Sequence, residues 1–150
     1  MIHARSESAW EKPAFRNLMV HKRCLIVADG FYEWQKAGSG KIPYRIVLTD
    51  RKLFGFAGLY DTWRSPNGTS VSTCTILTTR SNRVVAPIHD RMPVMLSRDD
   101  EAVWLGRHDD PRPVLEPLLG AYPADSMRAY PVSAAVGDVR QDGPERIQPA

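Results

Sequence analysis

Cysteine is nearly absent from this chain: Cys24 and Cys74 are the only two in 150 residues, too few for a disulfide framework. Neither belongs to a Cys-x-x-Cys pair, and no histidines recur at metal-ligand spacing, so neither a structural zinc nor any other metal or cofactor is expected. Both thiols sit in apolar runs, Cys24-Leu25-Ile26-Val27 and Val71 to Leu77. These runs read as buried strands, and the thiols as inert core groups rather than a redox pair or a nucleophile. No apolar run approaches the roughly 18 residues of a membrane helix. The first residues carry no basic stretch leading into an apolar one, so no signal peptide is expected and a soluble, cytoplasmic protein is. Gly38-Ser39-Gly40-Lys41 imitates half of a phosphate loop, but Gln35 stands where that loop needs glycine and Ile42 where it needs serine or threonine. There is no internal repeat, and no alternation of strand and helix that a doubly wound nucleotide fold requires.

What is present is ordinary globular composition, 43% hydrophobic and 25% charged, enough for a single domain with one core. The formal net charge of +3 hides an asymmetry, because residues 1–97 carry +7 and residues 98–150 carry −4. Fifteen of the twenty cations are arginine, whose planar fork suits phosphate. The basic segment fits either a nucleic-acid face or a solvated surface.

The pattern predicts a helix within Ser8–Val20, with Lys12 or Pro13 as alternative starts. Strands are expected at Cys24–Val27, Phe31–Gln35, Tyr44–Leu48, Leu53–Tyr60, Ser72–Thr79, Pro93–Leu96 and Met127–Val132. Asp29-Gly30 reads as a turn and the segment 37–40 as a flexible loop. Ser97 should cap a helix running to Leu105, with acids at its dipole-positive end. A further helix over Pro113–Leu119 is weakened by Pro117. Strands in this order predict an α+β fold with a mainly antiparallel sheet. The Gly/Pro-rich stretch 137–150 reads as a loose tail after a domain at 1–136.

Three segments place titratable groups where pattern alone expects core or plain turn. In Phe31-Tyr32-Glu33-Trp34, Glu33 lies between large aromatics. Such a carboxyl is either a proton-transfer group with a raised pKa or an edge-strand residue facing water. In Ile88-His89-Asp90-Arg91-Met92-Pro93, His89 is held between Pro87 and Pro93. It is a candidate acid/base or oxyanion donor, or else part of a loop ion pair. The third segment is His3-Ala4-Arg5-Ser6-Glu7, whose alternative reading is an exposed terminus.

Together these segments carry a family resemblance. Ala4-Arg5-Ser6-Glu7, Lys12-Pro13-Ala14-Phe15, Arg23 through Trp34, Phe56-Ala57-Gly58-Leu59-Tyr60 and Ile88 through Pro93 occur in one order. That set closely resembles the SRAP family, the SOS-response-associated peptidase proteins that bind abasic sites in single-stranded DNA. The resemblance runs from His3 to Ser133. It implies a curved sheet closing into a pseudo-barrel with a few short helices. It also implies a cysteine at position 2, exposed by loss of the initiator methionine, whose amine and thiol trap the abasic sugar aldehyde as a thiazolidine. The same cysteine is tied to removal of a short propeptide. By the same resemblance Glu33 assists Schiff-base chemistry and His89 assists ring opening and crosslink reversal. Arg5 contacts phosphate, and Trp34, Thr78 and Arg91 line the DNA groove.

Position 2 here is Ile2, and His3 stands where the family usually has asparagine. Neither Cys24 nor Cys74 carries a free α-amine. The sequence therefore reads as a SRAP domain without its N-terminal cysteine segment, which binds abasic single-stranded DNA on the nucleoid after damage but forms no thiazolidine. Loss of that segment would leave a strand edge open. The alternatives are a catalytically silent single-stranded-DNA binding module and, third, a peptidase on protein substrates, for which no Ser-His-Asp or Cys-His set is visible.

Overall fold

A computed structural model describes residues 2–134. The α+β class and the largely antiparallel pairing expected from the sequence are both observed. The chain forms two compact units, and it passes back and forth between them.

The first unit comprises Met1–Val27, Phe54–Arg80 and Pro93–Tyr122. Its sheet runs in the order β1 (Ile2–Arg5), β6 (Ser70–Arg80), β5 (Phe54–Arg64), β2 (Arg23–Ala28). β8 (Met95–Leu96) pairs antiparallel with the start of β5. β1 was not anticipated as a strand, and it lies parallel to β6, with Arg5 opposite Thr78. The first helix is shorter and later than expected: α1 is Arg16–His21, with no side-chain cap. Residues 8–15 instead form successive turns, in which Lys12 N–H bonds Ser8 O and Arg16 N–H bonds Lys12 O. Pro13 has no N–H to extend a helix through this stretch.

α2 (Arg98–Leu105) begins as the sequence predicts: Ser97 Oγ accepts the Asp100 N–H at 3.2 Å, and three acids occupy the first turn. α3 (Pro111–Leu115) passes into a 3-10 turn at Glu116–Leu119, where Pro117 lies. Apolar residues of β5, β6, β8 and the helices pack around Trp104, which is fully buried. Its indole N–H donates to Cys24 O at 3.0 Å. Arg23 ties the helix ends together. Its guanidinium donates to Met19 O and Val20 O at the end of α1, and to Trp104 O and Gly106 O at the end of α2, at 2.6–2.8 Å. These are the carbonyls a helix leaves without internal partners, and a cation suits that end of the dipole. Burial pulls this guanidinium below the usual arginine range.

The β5–β6 hairpin is buried near its base and exposed on both strands toward its tip. Cys74 falls in the exposed half, so the expectation of two core thiols is corrected for this residue. The strand runs past the core that would have covered it. Cys24 is half-buried and its side chain lies against Gly58, where an added Cβ would stand 3.1 Å from the sulfur. Burial, and then the neighbouring Cys74 thiol, push the Cys24 thiol up.

The second unit comprises Ala28–Leu53, Ser81–Met92 and the chain from Pro123. Its sheet has the order β3 (Phe31–Ala37), β4 (Gly40–Leu48), β9 (Met127–Pro131), antiparallel throughout. The expected flexible loop at 37–40 is a tight hairpin instead. Ala37 pairs with Gly40, and Gly38 takes φ +58, a left-handed value that suits glycine. The tail expected from 137 lies outside the described residues.

Candidate functional site

The Asp29-Gly30 turn sets the start of β3. Arg45, buried on β4, places its guanidinium 3.1 Å from Asp29 Oδ1 and 5.6 Å from the centre of the Tyr32 ring. Burial pulls this guanidinium down, but the hydrogen bond and charge of Asp29, with Tyr32 and Tyr130, outweigh it and hold the group above the usual value. Gly30 is required here for space: a Cβ would stand 2.8 Å from Ile46 O and 2.9 Å from Arg45 Cζ. The turn, the arginine and the aromatic ring thus fix the strand on which Glu33 and Trp34 sit.

Register on β3 and β4 sorts the side chains by face, because alternate residues of a strand point opposite ways. Tyr32, Trp34 and Lys36 share one face with Lys41, Pro43 and Arg45 of β4; Glu33 and Gln35 share the other with Tyr44. Glu33 is half-buried, and its Oε1 accepts the Trp34 N–H at 3.3 Å. Trp34 is 37% exposed.

The segment carrying His89 is built by Asn82. Asn82 Oδ1 accepts the N–H groups of Val84 and Val85 at 3.0 and 3.2 Å, and its amide nitrogen donates to Met127 Sδ. Val85 is fully buried, and its carbonyl accepts both Ile88 and His89 N–H. Gln35 Nε2 then donates to Pro87 O at 2.8 Å, fastening this segment to β3. The result is a cleft of about 550 Å³ lined by Glu33, Trp34, Gln35, Lys36 and Lys41 together with residues 86–90. That volume lies within the ordinary range of small-ligand sites.

His89 has a partner for either protonation state. With the ring neutral and its proton on Nε2, Nδ1 accepts the Arg91 N–H at 3.1 Å. Once protonated, Nδ1–H faces Arg91 O at 3.2 Å and Asp90 Oδ1 at 3.4 Å. An imidazole with a donor for one state and acceptors for the other can cycle protons without moving its ring.

Of the residues singled out in the sequence, Glu33, Trp34 and His89 line this one cleft. Arg91 follows at the start of β7 (Arg91–Pro93), half-buried, its main chain holding His89. His3, Arg5 and Thr78 belong to the first unit. His3 and Arg5 are exposed on one face of β1, while Ala4 is buried on the other. Thr78 is buried, and its hydroxyl donates to Ala4 O at 3.5 Å. Sequence reasoning did not flag Arg45, Asn82 or Gln35. An asparagine just before a Pro-bounded turn is the one local cue among them, since asparagine side chains cap turns. A larger hollow in the first unit, about 710 Å³ between Val20, Arg23 and His108, holds none of the singled-out residues. Its central cation, Arg23, is already committed to helix carbonyls. Among the described residues no cluster of three or more potential metal ligands exists, and no helix is long and apolar enough to cross a membrane.

The chain belongs to the SOS response associated peptidase (SRAP) family, whose model matches residues 1–139. It is similar to the abasic site processing protein YoqW of Bacillus subtilis, with 47% identity over 149 residues, covering 99% of this chain and 66% of that one. It is also similar to the abasic site processing protein HMCES of Gallus gallus, 35% identical over 98% of this chain and 49% of that one. A crystal structure of a protein from Bacteroides thetaiotaomicron superposes with a TM-score of 0.92 at 31% identity, covering 99% of this chain and 65% of that one. The chain thus spans about two thirds of its bacterial relatives and half of the avian one.

Proposed function

We propose that this chain recognises abasic sites in single-stranded DNA and supplies the acid/base groups that act on the exposed sugar aldehyde. The observation that carries the reading is the single cleft in which Glu33 and Trp34 of β3 meet His89 of the Asn82-built segment. The relatives' printed names, abasic site processing proteins, supply the substrate. In this reading Trp34 offers a stacking surface beside the lesion. Glu33 moves the proton as an amine adds to the aldehyde and water leaves. His89 assists ring opening, its two hydrogen-bonding states matched to giving and receiving a proton. Arg91 meets a phosphate beside this cleft; on the first unit Arg5 meets a phosphate and His3 occupies the position of the family's asparagine. The family's thiazolidine requires a cysteine bearing a free α-amine. Cys24 and Cys74 are both internal, so these 150 residues provide recognition and proton transfer rather than the thiol.

The test compares oligonucleotides with and without an abasic site, with borohydride used to trap any imine formed between the sugar and an amine of the chain. The abasic strand should bind more tightly. Glu33→Gln and His89→Gln should keep binding but slow trapping at least about tenfold, in line with general acid/base contributions. Equal binding of both strands would instead leave a single-stranded-DNA binding module. A heat-stable band formed without borohydride would show that the thiol is supplied after all.

A further inference from the structure

Next to the tight turn of the β3–β4 hairpin, Lys36 stands directly opposite Lys41. Like charges at paired positions of an antiparallel ladder work against the sheet. Neither ammonium makes an ion pair or hydrogen bond among the described residues, and both are exposed at the cleft that holds Glu33 and His89. The two carboxylates of that cleft are engaged elsewhere: Glu33 accepts the Trp34 N–H, and Asp90 lies beside His89. Two unneutralised cations held side by side by backbone register are a site for an anion.

Trp34 identifies which anion. It lies two residues before Lys36 on the same face of β3, so the indole and the lysine pair are separated by roughly 6.8 Å along the strand. An extended nucleic-acid strand alternates a flat base with a phosphate on about that scale. Pro43, opposite Trp34, is buried and adds no charge at that step of the ladder. We infer that Lys36 and Lys41 form a clamp for one backbone phosphodiester of a single strand whose neighbouring base stacks on Trp34. The inference rests on the DNA reading above and adds to it a fixed direction for the strand, from the cleft toward the hairpin turn. Lysine serves here as a point charge that tolerates either phosphate oxygen, unlike the forked contacts of arginine.

The experiment measures binding of a fluorescent single-stranded oligonucleotide carrying a tetrahydrofuran abasic analogue, over a range of salt. It compares the unaltered chain, the double variant Lys36→Gln/Lys41→Gln and the charge-keeping Lys36→Arg/Lys41→Arg. Loss of one neutralised phosphate on a single strand should flatten the log K against log salt slope by about 0.7, with affinity down about tenfold at low salt. The arginine variant should restore both. A methylphosphonate at the contacted position should weaken the unaltered chain and leave the glutamine variant indifferent. Thermal melts should show the glutamine variant folded, at an equal or higher midpoint, because the repulsive pair is gone. An unchanged slope and affinity in the glutamine variant overturns the clamp and leaves DNA binding standing. If the unaltered chain binds no single strand, the function proposed above fails. Inorganic tripolyphosphate then decides the clamp: binding weakened at least about fivefold by the glutamine pair supports it, and equal binding overturns it.

Discussion

Gln35 and Pro87 lie 52 residues apart, and one hydrogen bond, from the Gln35 amide to the Pro87 carbonyl at 2.8 Å, fastens the histidine segment to β3. Tyr44 reinforces it by donating its hydroxyl to Gln35 Oε1 at 3.4 Å. The strand that carries Glu33 therefore also carries the latch for His89. Gln35→Ala should cost only about 1 kcal/mol of stability, the net worth of one such bond. It should nevertheless loosen His89 against Glu33. Hydrogen exchange at Ile88 and His89 should accelerate while the rest of β3 is unaffected, and borohydride trapping of abasic DNA should slow. Unaltered exchange at 88–89 would show that the segment holds itself.

Gly30→Ala asks for space that does not exist, with a new Cβ 2.8 Å from Ile46 O and 2.9 Å from Arg45 Cζ. A main-chain oxygen cannot rotate away as a side chain can. The expected cost is ~1–3 kcal/mol, as for other overpacked sites, read by urea unfolding. The effect should be partly relieved in the double variant with Arg45→Met. That background loses the Asp29 pairing, so the cycle must be measured in full.

Arg23 donates to four main-chain carbonyls at the ends of α1 and α2. Arg23→Ala leaves those acceptors unpartnered, three of them in partly buried surroundings, and should destabilise the chain by at least ~3 kcal/mol. Arg23→Lys should recover less than half of this, since one ammonium cannot reach four acceptors in a planar fan. Denaturant melts of the three proteins provide the check.

The two thiols should differ in reactivity. Cys24 is raised from its ordinary value of 9.0 by burial and by Cys74, so near pH 8 an alkylating reagent should modify exposed Cys74 first. Mass spectrometry of the partly labelled chain reports the order. The sign for stability follows: the folded state holds the Cys24 proton more tightly than the unfolded chain does. That contribution is therefore complete below the unfolded value and is lost as pH rises through the folded one. Cys24→Ala should flatten the alkaline limb of the stability curve, and a limb of unchanged steepness would exclude this origin.

Local chemistry was legible in the sequence, and distant pairing was not. The Ser97 cap and the acids behind it announce α2 because the hydrogen bond that starts the helix spans three residues. The Asp29-Gly30 turn is visible for the same reason, although the need for glycine there comes from Ile46 O and Arg45 of β4, which no nearby residue betrays. β1 went unseen because its four residues gain their ladder from β6. The helix expected within 8–20, with Lys12 or Pro13 as alternative starts, begins only at Arg16, after turns through 8–15 in which Pro13 offers no N–H. Glu33 and His89 stood out as titratable groups in apolar or proline-bounded settings. The groups that set their relation, Gln35 and Asn82, are ordinary polar residues in the sequence. They acquire meaning only when the chain returns to them.

The parallel pairing of β1 with β6 has a consequence in time. Arg5 meets its register partner Thr78, and Ser6 N–H meets Thr78 O at 2.9 Å, only after every intervening residue exists. On a translating ribosome this pairing waits while some seventy residues are made. Closing so long a loop is entropically slow. The strand bearing His3 and Arg5 therefore takes its ladder from residues made some seventy positions after it, whereas the β3–β4 hairpin can close as soon as its own turn exists.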